Sequence, residues 1–273
     1  MFDSITNNWD YHVEMQPIYD GVGNEITTHR AAVRTDTNLV LGVHGSKYKI
    51  ISNDDVVSSV MDAVDAADIG KDYKFMTYIS DDGRKMRGEI LFPNEVITPA
   101  IGDITQFRVS FYNSYDGSWA FQQSSDGLRL WCLNGCTTPA TIAKTWAKHT
   151  TNVSVEGSSH KILQGLAIFR DQEDVYKNYI ESKVTPDDVE NFFRKTLCHV
   201  KTRSKQDKHN DKRLEELLKL YDVEADTLGQ NKWALYNTMT YWATHTGQTK
   251  SPENTRRIRE NEIAIAIDNM RFL

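Results

Sequence analysis

Cysteine is scarce in this chain, with three residues in a sequence of 273. Cys132, Cys136 and Cys198 are too few for a disulfide framework and odd in number, so we expect reduced thiols in the cytoplasm. Long apolar runs are also lacking, and none approaches the roughly 20 residues that a membrane-spanning helix needs. Residues 1–15 contain neither a basic nor an apolar segment, which argues against a secretory signal. The sequence therefore predicts a soluble cytoplasmic protein with no membrane partner.

Common catalytic motifs are missing as well, since the sequence contains no GxSxG, no HExxH and no complete phosphate-binding loop. The best zinc candidate joins Cys132 and Cys136 to the neighbours Cys198 and His199, because zinc favours four sulfur or nitrogen ligands. Adjacent residues on a helix point about 100° apart, so buried free thiols are the favoured interpretation. We predict no catalytic residue, no metal and no cofactor, and keep a metal-dependent enzyme as an open alternative.

The charge of the chain is uneven. The formal net charge of −6 argues against a protein coated in basic surface, which phosphate-binding proteins usually have. Between residues 194 and 219, however, nine basic residues stand against four acidic ones. A local basic stretch on an otherwise acidic protein is therefore expected.

Hydrophobic periodicity divides the chain into a strand-rich half and a helical half, which predicts an α+β fold. We expect residues 1–136 to form the sheet-rich part and residues 137–273 the helical part, packed together as one domain. In the first part, alternation and turn residues predict one helix at 54–67, a turn at 124–127, and strands at 25–34, 39–52 (with a bend), 72–80, 85–93, 104–112, 119–123 and 128–135.

After Pro139 the apolar period changes from two residues to that of a helix. Thr185 and Pro186 form a typical helix start, with a capping residue and proline at the first helical position. Residues 201–212 have no apolar face and are interpreted as a loop. The predicted helices are 139–148, 155–182, 186–199, 211–221, 230–245 and 252–270.

Cationic and aromatic side chains are interleaved along the predicted hairpins. Such a sheet is a plausible platform for a single strand, because each base offers a stacking face and each phosphate a charge. The simpler alternative is an ordinary solvated sheet face with aromatic residues in the core. The predicted nucleic-acid-binding residues are Lys47, Tyr48, Lys49, Arg84, Lys85, Arg87, Arg108, Trp119, Arg129, Trp131, Lys201, Arg203 and Lys205.

An ordered set of short stretches resembles a known family. The stretches are LGVHGSKYKIISNDD at 41–55, MRGEI at 86–90, NSYDGSW at 113–119, LRLWCLNG at 128–135 and NTMTYWATHT at 237–246. In that order they are similar to the phage/plasmid-like protein family, which carries the domain of unknown function nine-hundred-thirty-two. Arg129, Cys132 and Asn134 fill its Arg-x-x-Cys-x-Asn pattern. The resemblance implies a phage, prophage or plasmid origin in a bacterial host cell and brings no known active site with it.

The order of elements is also similar to that of single-strand annealing proteins, the superfamily of RecT and Red-beta, which bind DNA in a positive groove and form rings or filaments. This likeness implies a single-stranded nucleic-acid binding protein, with strand annealing in recombination as one role and a homo-oligomer as its form. The alternative is a non-enzymatic phage interaction module that binds or inhibits a host protein. DNA and RNA are not distinguished at this level.

Overall fold

The computed structural model describes residues 9–80, 82–129, 134–136, 145–147, 158–200, 208–245, 247 and 249–273. Antiparallel sheets occupy the N-terminal half and helices the C-terminal half, which confirms the predicted α+β class. The strands are β1 Val13–Tyr19, β2 Glu25–Arg34, β3 Leu39–Gly45, β4 Lys74–Ile79, β5 Lys85–Ala100, β6 Asp103–Ser114, β7 Phe121–Arg129, β8 Asn134–Cys136, β9 Thr145–Ala147, β10 His199–Val200 and β11 Lys208–His209.

The helices follow most of the predicted positions. Helix α1 begins after Ser52, whose hydroxyl accepts a hydrogen bond from the Asp55 amide at 2.9 Å, the usual N-cap contact. No described helix is both long and apolar enough to cross a membrane. The helices are α1 Asn53–Ala67, α2 Ser158–Glu181, α3 Pro186–Thr196, α4 Asp211–Leu228, α5 Lys232–Thr244 and α6 Pro252–Asn269, followed by a 3₁₀ turn at Met270–Phe272.

Two sheets carry most of the strands. The first has the order β1-β2-β3, and the second contains β4, β5, β6, β7 and β8 in that order, with β9 also pairing with β7. In the first sheet Ala32 lies between Met15 and Gly42. The inner face of this sheet contributes Val13, Ala32 and Leu41 to a core cluster with two tyrosines of unit 1, Tyr11 and Tyr115.

The chain forms two compact units. Unit 1 contains Met1–Asn94, Arg108–Ser125 and Ala143–Leu166, and unit 2 contains Glu95–Phe107, Asp126–Ile142 and Ala167–Leu273. The β1-β2-β3 sheet and α1 belong to unit 1, and α3 to α6 belong to unit 2. The predicted division at 136/137 lies beside residues that the structure does not describe and stays a prediction.

Several local predictions were wrong. β7 runs straight through the predicted turn at 124–127, because strand pairing places Gly127 opposite Cys136 and overrides the turn-forming residues. Residues 145–147 form β9 where a helix was predicted, and the rest of that segment lies outside the described residues. Residues 46–52 form no second strand, and β1 was not predicted at all.

Candidate functional site

Two of the predicted nucleic-acid-binding arginines are buried in an ion-pair cluster of unit 1. Arg87 and Arg108 have side chains that are 2% and 1% exposed, and both donate hydrogen bonds to Oε1 of Glu89, Arg108 at 2.6 Å. The Arg87 guanidinium also lies 5.3 Å from the ring centre of Tyr78. The prediction that they face solvent was wrong, because a charge removed from water needs a partner and Glu89 supplies one.

Ser110 lies on the same face as this cluster. The Tyr115 amide donates to the Arg84 carbonyl, which starts an antiparallel pairing of β5 with β6. Continued along both strands, that pairing opposes Gly88 with Phe111, and a Cβ on Gly88 would lie 2.0 Å from the Phe111 ring. The next pair is Glu89 with Ser110, so this face of the two strands is polar and buried while its opposite face is apolar.

Arg129 holds a second buried network, in unit 2. Its guanidinium donates to both carboxylate oxygens of Asp103, at 2.5 and 3.0 Å, and lies 3.5 Å from Glu224. The indole N–H of Trp233 donates to the same Asp103 at 2.8 Å. Burial raises the pKa of Glu224, and the charge of Arg129 offsets part of that rise. The predicted solvent-facing position of Arg129 was wrong, and its position identifies a structural residue of unit 2.

Trp119, Arg84 and Lys85 are also less accessible than predicted. Trp119 is 1% exposed, and its backbone N–H and carbonyl both bond the Ser114 hydroxyl. Lys85 lies 3.6 Å from Asp116 and 5.4 Å from the Trp119 ring centre. Arg84 is half-exposed and pairs with Asp82 at 3.1 Å. The remaining predicted residues, Trp131, Lys201, Arg203 and Lys205, lie outside the described residues.

The segment between β3 and α1 places the other predicted residues at the surface. Lys47 and Lys49 are exposed, and Tyr48 between them is half-buried. The Tyr48 ring stacks on the His44 ring, with centroids 3.8 Å apart and planes 10° apart. The His44 Nε2 lies 2.7 Å from the Tyr115 carbonyl oxygen, so the stacked pair is fixed to the turn after β6.

Strand pairing adds a cation that the sequence analysis missed. Arg30 on β2 is the register partner of His44 on β3, and it is exposed. Among the described residues, no ion pair involves Arg30, Lys47 or Lys49. We define the ribbon patch as Arg30, His44, Lys47, Tyr48 and Lys49. Antiparallel pairing of the strands predicted at 25–34 and 39–52 brings Arg30 next to His44 only in one register, and the sequence does not specify that register.

A buried polar network holds the ribbon patch on the rest of unit 1. Asn53, at the start of α1, donates from its amide side chain to the Tyr11 hydroxyl at 3.1 Å. The Tyr11 hydroxyl donates to the Gly83 carbonyl at 2.5 Å, and the Asn53 backbone N–H donates to the Tyr115 hydroxyl at 2.8 Å. Burial raises the pKa of Tyr11 to about 12, so the hydroxyl stays protonated and keeps donating. The network joins the α1 end of the β3–α1 segment to Tyr11, Gly83 and Tyr115.

Glycine allows the close approach of the turn after β6. A Cβ on Gly42 would lie 2.6 Å from the His44 ring nitrogen and 2.9 Å from the Tyr115 carbonyl oxygen. The second atom belongs to the backbone and has little freedom to move away. The glycine therefore sets the position of the His44 ring in the ribbon patch.

The described residues contain no group of three or more potential metal ligands. Cys198 is buried, and burial raises the pKa of its thiol to about 11, so it is a protonated thiol at neutral pH. Cys132 and the side chain of Cys136 lie outside the described residues, and the zinc hypothesis for them stays untested.

Comparison with known proteins finds no curated protein and no solved structure that matches this chain. The likeness to single-strand annealing proteins therefore stays a prediction. One family model does match, over residues 40–264, a range that begins at the second residue of β3, includes the β3–α1 segment and excludes Arg30. Because the match covers most of the sequence, the chain belongs to the family described as Domain of unknown function (DUF932).

Proposed function

We propose that the protein binds single-stranded nucleic acid at the ribbon patch. The observation that carries the proposal is the combination of three exposed cations, Arg30, Lys47 and Lys49, with the stacked rings of His44 and Tyr48. Arg34, another basic side chain of the same sheet, differs in that it is paired with Asp36 at 2.7 Å. Cations without a partner in the described protein are the ones available to phosphates.

The chemistry of single strands fits such a patch. Each phosphate neutralised by a lysine or arginine releases counterions, which drives binding at low salt. Bases stack on aromatic side chains whatever their sequence, so the two rings favour binding without sequence preference. No nucleophile or metal is needed. From the likeness to single-strand annealing proteins, the proposal extends to strand annealing, and the family resemblance places that role in phage or plasmid recombination.

The acidic character of the chain limits where a polyanion can bind. With a net charge of −6, the protein as a whole repels a polyanion, so the affinity should depend on few contacts. Three phosphate contacts on a single strand predict a slope of about −2 for log affinity against log salt. Binding should accordingly be measurable near 50 mM salt and weak near 200 mM, about twentyfold lower.

The test is fluorescence anisotropy with a labelled oligothymidine across a salt series. The variant Arg30→Ala/Lys47→Ala/Lys49→Ala should lose at least about tenfold in affinity and most of the salt slope. The matched control is Lys71→Ala/Lys219→Ala/Lys250→Ala, which removes three described lysines outside the patch and should change affinity less than about twofold. Equal losses in both variants, or no binding by the wild-type protein at low salt, would exclude the ribbon patch.

A further inference from the structure

The β1–β2 hairpin extends beyond the sheet to which it belongs. β3 ends at Gly45, opposite His29 of β2, whereas the pairing of β1 with β2 continues to Tyr19 and Glu25. Past the end of β3 the two strands therefore form a two-stranded extension. We define the arm as residues 18–28, which include the turn between the strands. Two strands alone are only marginally stable, and they gain stability when further structure packs against them.

The tip of the arm is an ordered turn. The Asp20 amide donates to the Asn24 carbonyl at 2.9 Å, and the Gly23 amide donates to the Asp20 carbonyl at 3.1 Å. The Asp20 carboxylate accepts hydrogen bonds from the amides of Asn24 and Val22, both at 2.9 Å. These bonds, the one from Asn24 first, hold the pKa of Asp20 below its ordinary value, so its carboxylate is charged at neutral pH. An arm that is already ordered loses little conformational entropy when it docks.

The arm exposes large apolar side chains. Residues 19–28 are all exposed, and three of them are Tyr19, Val22 and Ile26. Tyr19 is 59% exposed and Val22 is 84% exposed. Single apolar side chains scattered over a surface are ordinary, but these three lie on one short hairpin, and such concentrations are typical of surfaces that contact another protein.

The arm and the ribbon patch carry opposite charge. Residues 18–28 contain Asp20 and Glu25 and no lysine or arginine, so the arm repels a polyanion. The ribbon patch, with its three exposed cations, begins beside the arm, because Arg30 follows it by two residues and pairs with Pro17 of β1. One sheet therefore has a negative tip and a positive base. A surface that complements both at once has the same two charges in the reverse order, and a second copy of this sheet provides them.

We propose that the arm docks on the ribbon patch of a second copy of this chain and forms a reciprocal dimer. A twofold axis aligns the two arms in opposite directions, so the tip of each arm meets the base of the other. Asp20 and Glu25 of one copy would approach Lys47 and Lys49 of the other, and the three apolar side chains of each arm would leave water. Fewer residues take part than the roughly 20–30 that each side of a standard interface contains, so we expect a dissociation constant of about 10 µM.

The experiment is sedimentation velocity of the full-length protein between about 1 and 100 µM in about 50 mM salt, without nucleic acid. The wild type should be monomeric at the lowest concentration and dimeric at the highest. Glu25→Lys should weaken dimerisation at least about tenfold, because like charges then meet, and Lys47→Glu/Lys49→Glu should do so for the same reason. The matched control is Lys71→Glu/Lys250→Glu, at exposed positions outside both surfaces, which should change dimerisation less than about twofold.

A mixture of the two charge variants tests whether the contact is reciprocal. Each variant alone places like charges against each other. In a mixed dimer the altered arm meets the altered ribbon patch, and the two native surfaces meet at the other contact. Glu25→Lys and Lys47→Glu/Lys49→Glu should therefore dimerise when mixed, within about tenfold of the wild-type affinity. Restored dimerisation also shows that both variants are folded.

Val22→Ser tests the apolar part of the contact. It should weaken dimerisation about fivefold, because less apolar surface leaves water, and it should leave the melting temperature of the monomer unchanged, since the side chain is exposed there. Ile101→Ser is the control, at an exposed position between β5 and β6, and should have no effect on dimerisation.

The inference uses the exposed cations of the ribbon patch but does not depend on their binding to nucleic acid. It is overturned if the wild type stays monomeric at about 100 µM, if Glu25→Lys dimerises normally, or if the mixed variants stay monomeric. Oligothymidine at the ribbon patch should displace the arm, so a dimer that persists with this patch occupied would also overturn it. A failure of oligothymidine to bind counts against the proposed function alone.

Discussion

Unit 1 contains two regions that are rich in basic side chains, one with exposed cations and one with buried cations. At the ribbon patch, Arg30, Lys47 and Lys49 are exposed. On β5 and β6, Arg87 and Arg108 are buried and share the carboxylate of Glu89. Both sets lie on strands or next to strands, and both are flanked by aromatic residues. Basic residues on a sheet are therefore available to a ligand only where that face of the sheet is open to solvent.

The largest effect should come from the buried region. Glu89→Gln leaves two guanidinium groups without the carboxylate they share, so the free energy of unfolding should fall by about 3–5 kcal/mol. Urea denaturation measures this loss. Lys47→Ala is the control from the exposed region and should stay within about 0.5 kcal/mol of the wild type. If both variants unfold at the same urea concentration, the contrast between the two regions fails.

A smaller effect should come from Gly42, which links the turn after β6 to the ribbon patch. Gly42→Ala places a methyl group against the Tyr115 carbonyl and the His44 ring, and such overpacking costs about 1–3 kcal/mol. It should also weaken nucleic-acid binding, because His44 has to move. Gly21→Ala is the control, since a Cβ there meets no atom within 4 Å. Urea denaturation and anisotropy on both variants check the prediction, and unchanged binding by Gly42→Ala would remove His44 from the ribbon patch.

Glu224 tests the buried network of unit 2 through pH. Burial raises its pKa above the ordinary 4.5, so folding favours the protonated acid. Its contribution to stability is fully present below the unfolded-state pKa and is lost as the pH rises through the folded-state pKa. Glu224→Gln should therefore lack a decrease in stability that the wild type shows above about pH 4.5. The effect is smaller than the two above because Arg129 offsets part of the burial.

Urea midpoints for Glu224→Gln and the wild type, measured at a series of pH values, provide the comparison. The difference between the two curves isolates Glu224 from the other titrating groups. Parallel curves over the whole range would mean that the Glu224 carboxyl has the same pKa in the folded and unfolded protein.

The helices could be predicted from the sequence because their signals are local. Thr185 as the capping residue and Pro186 at the first helical position are signals that need no tertiary information, and α3 begins at Pro186 as they predict. The predicted turn at 124–127 is wrong, because Ser125 and Gly127 have turn propensity but lie in the paired strand β7. Strand propensity depends on neighbours that only the folded chain provides.

The candidate site was predicted in part, for a related reason. Lys47, Tyr48 and Lys49 lie in one short segment, and the structure places the two lysines at the surface. Alternation along β5 predicts correctly that Arg87 and Glu89 share a face, but it carries no information on whether that face is covered. Arg30 was missed because its proximity to His44 depends on the register between β2 and β3.

The smallest predicted effect is a single-residue change inside the ribbon patch. Lys49→Ala should reduce the salt slope of oligothymidine binding by about 0.7, the value for one phosphate contact on a single strand. The free energy of unfolding should change by less than about 0.5 kcal/mol, because the Lys49 side chain is exposed and forms no ion pair among the described residues. Anisotropy across a salt series and urea denaturation measure the two quantities on the same protein preparation.

Lys47→Ala and Arg30→Ala should behave like Lys49→Ala. The slope changes of these three single variants should sum to that of the triple variant, since each cation is expected to neutralise its own phosphate. A slope that is unchanged in every single variant but lost in the triple one would instead mean that the cations act through a shared field, without individual phosphate contacts.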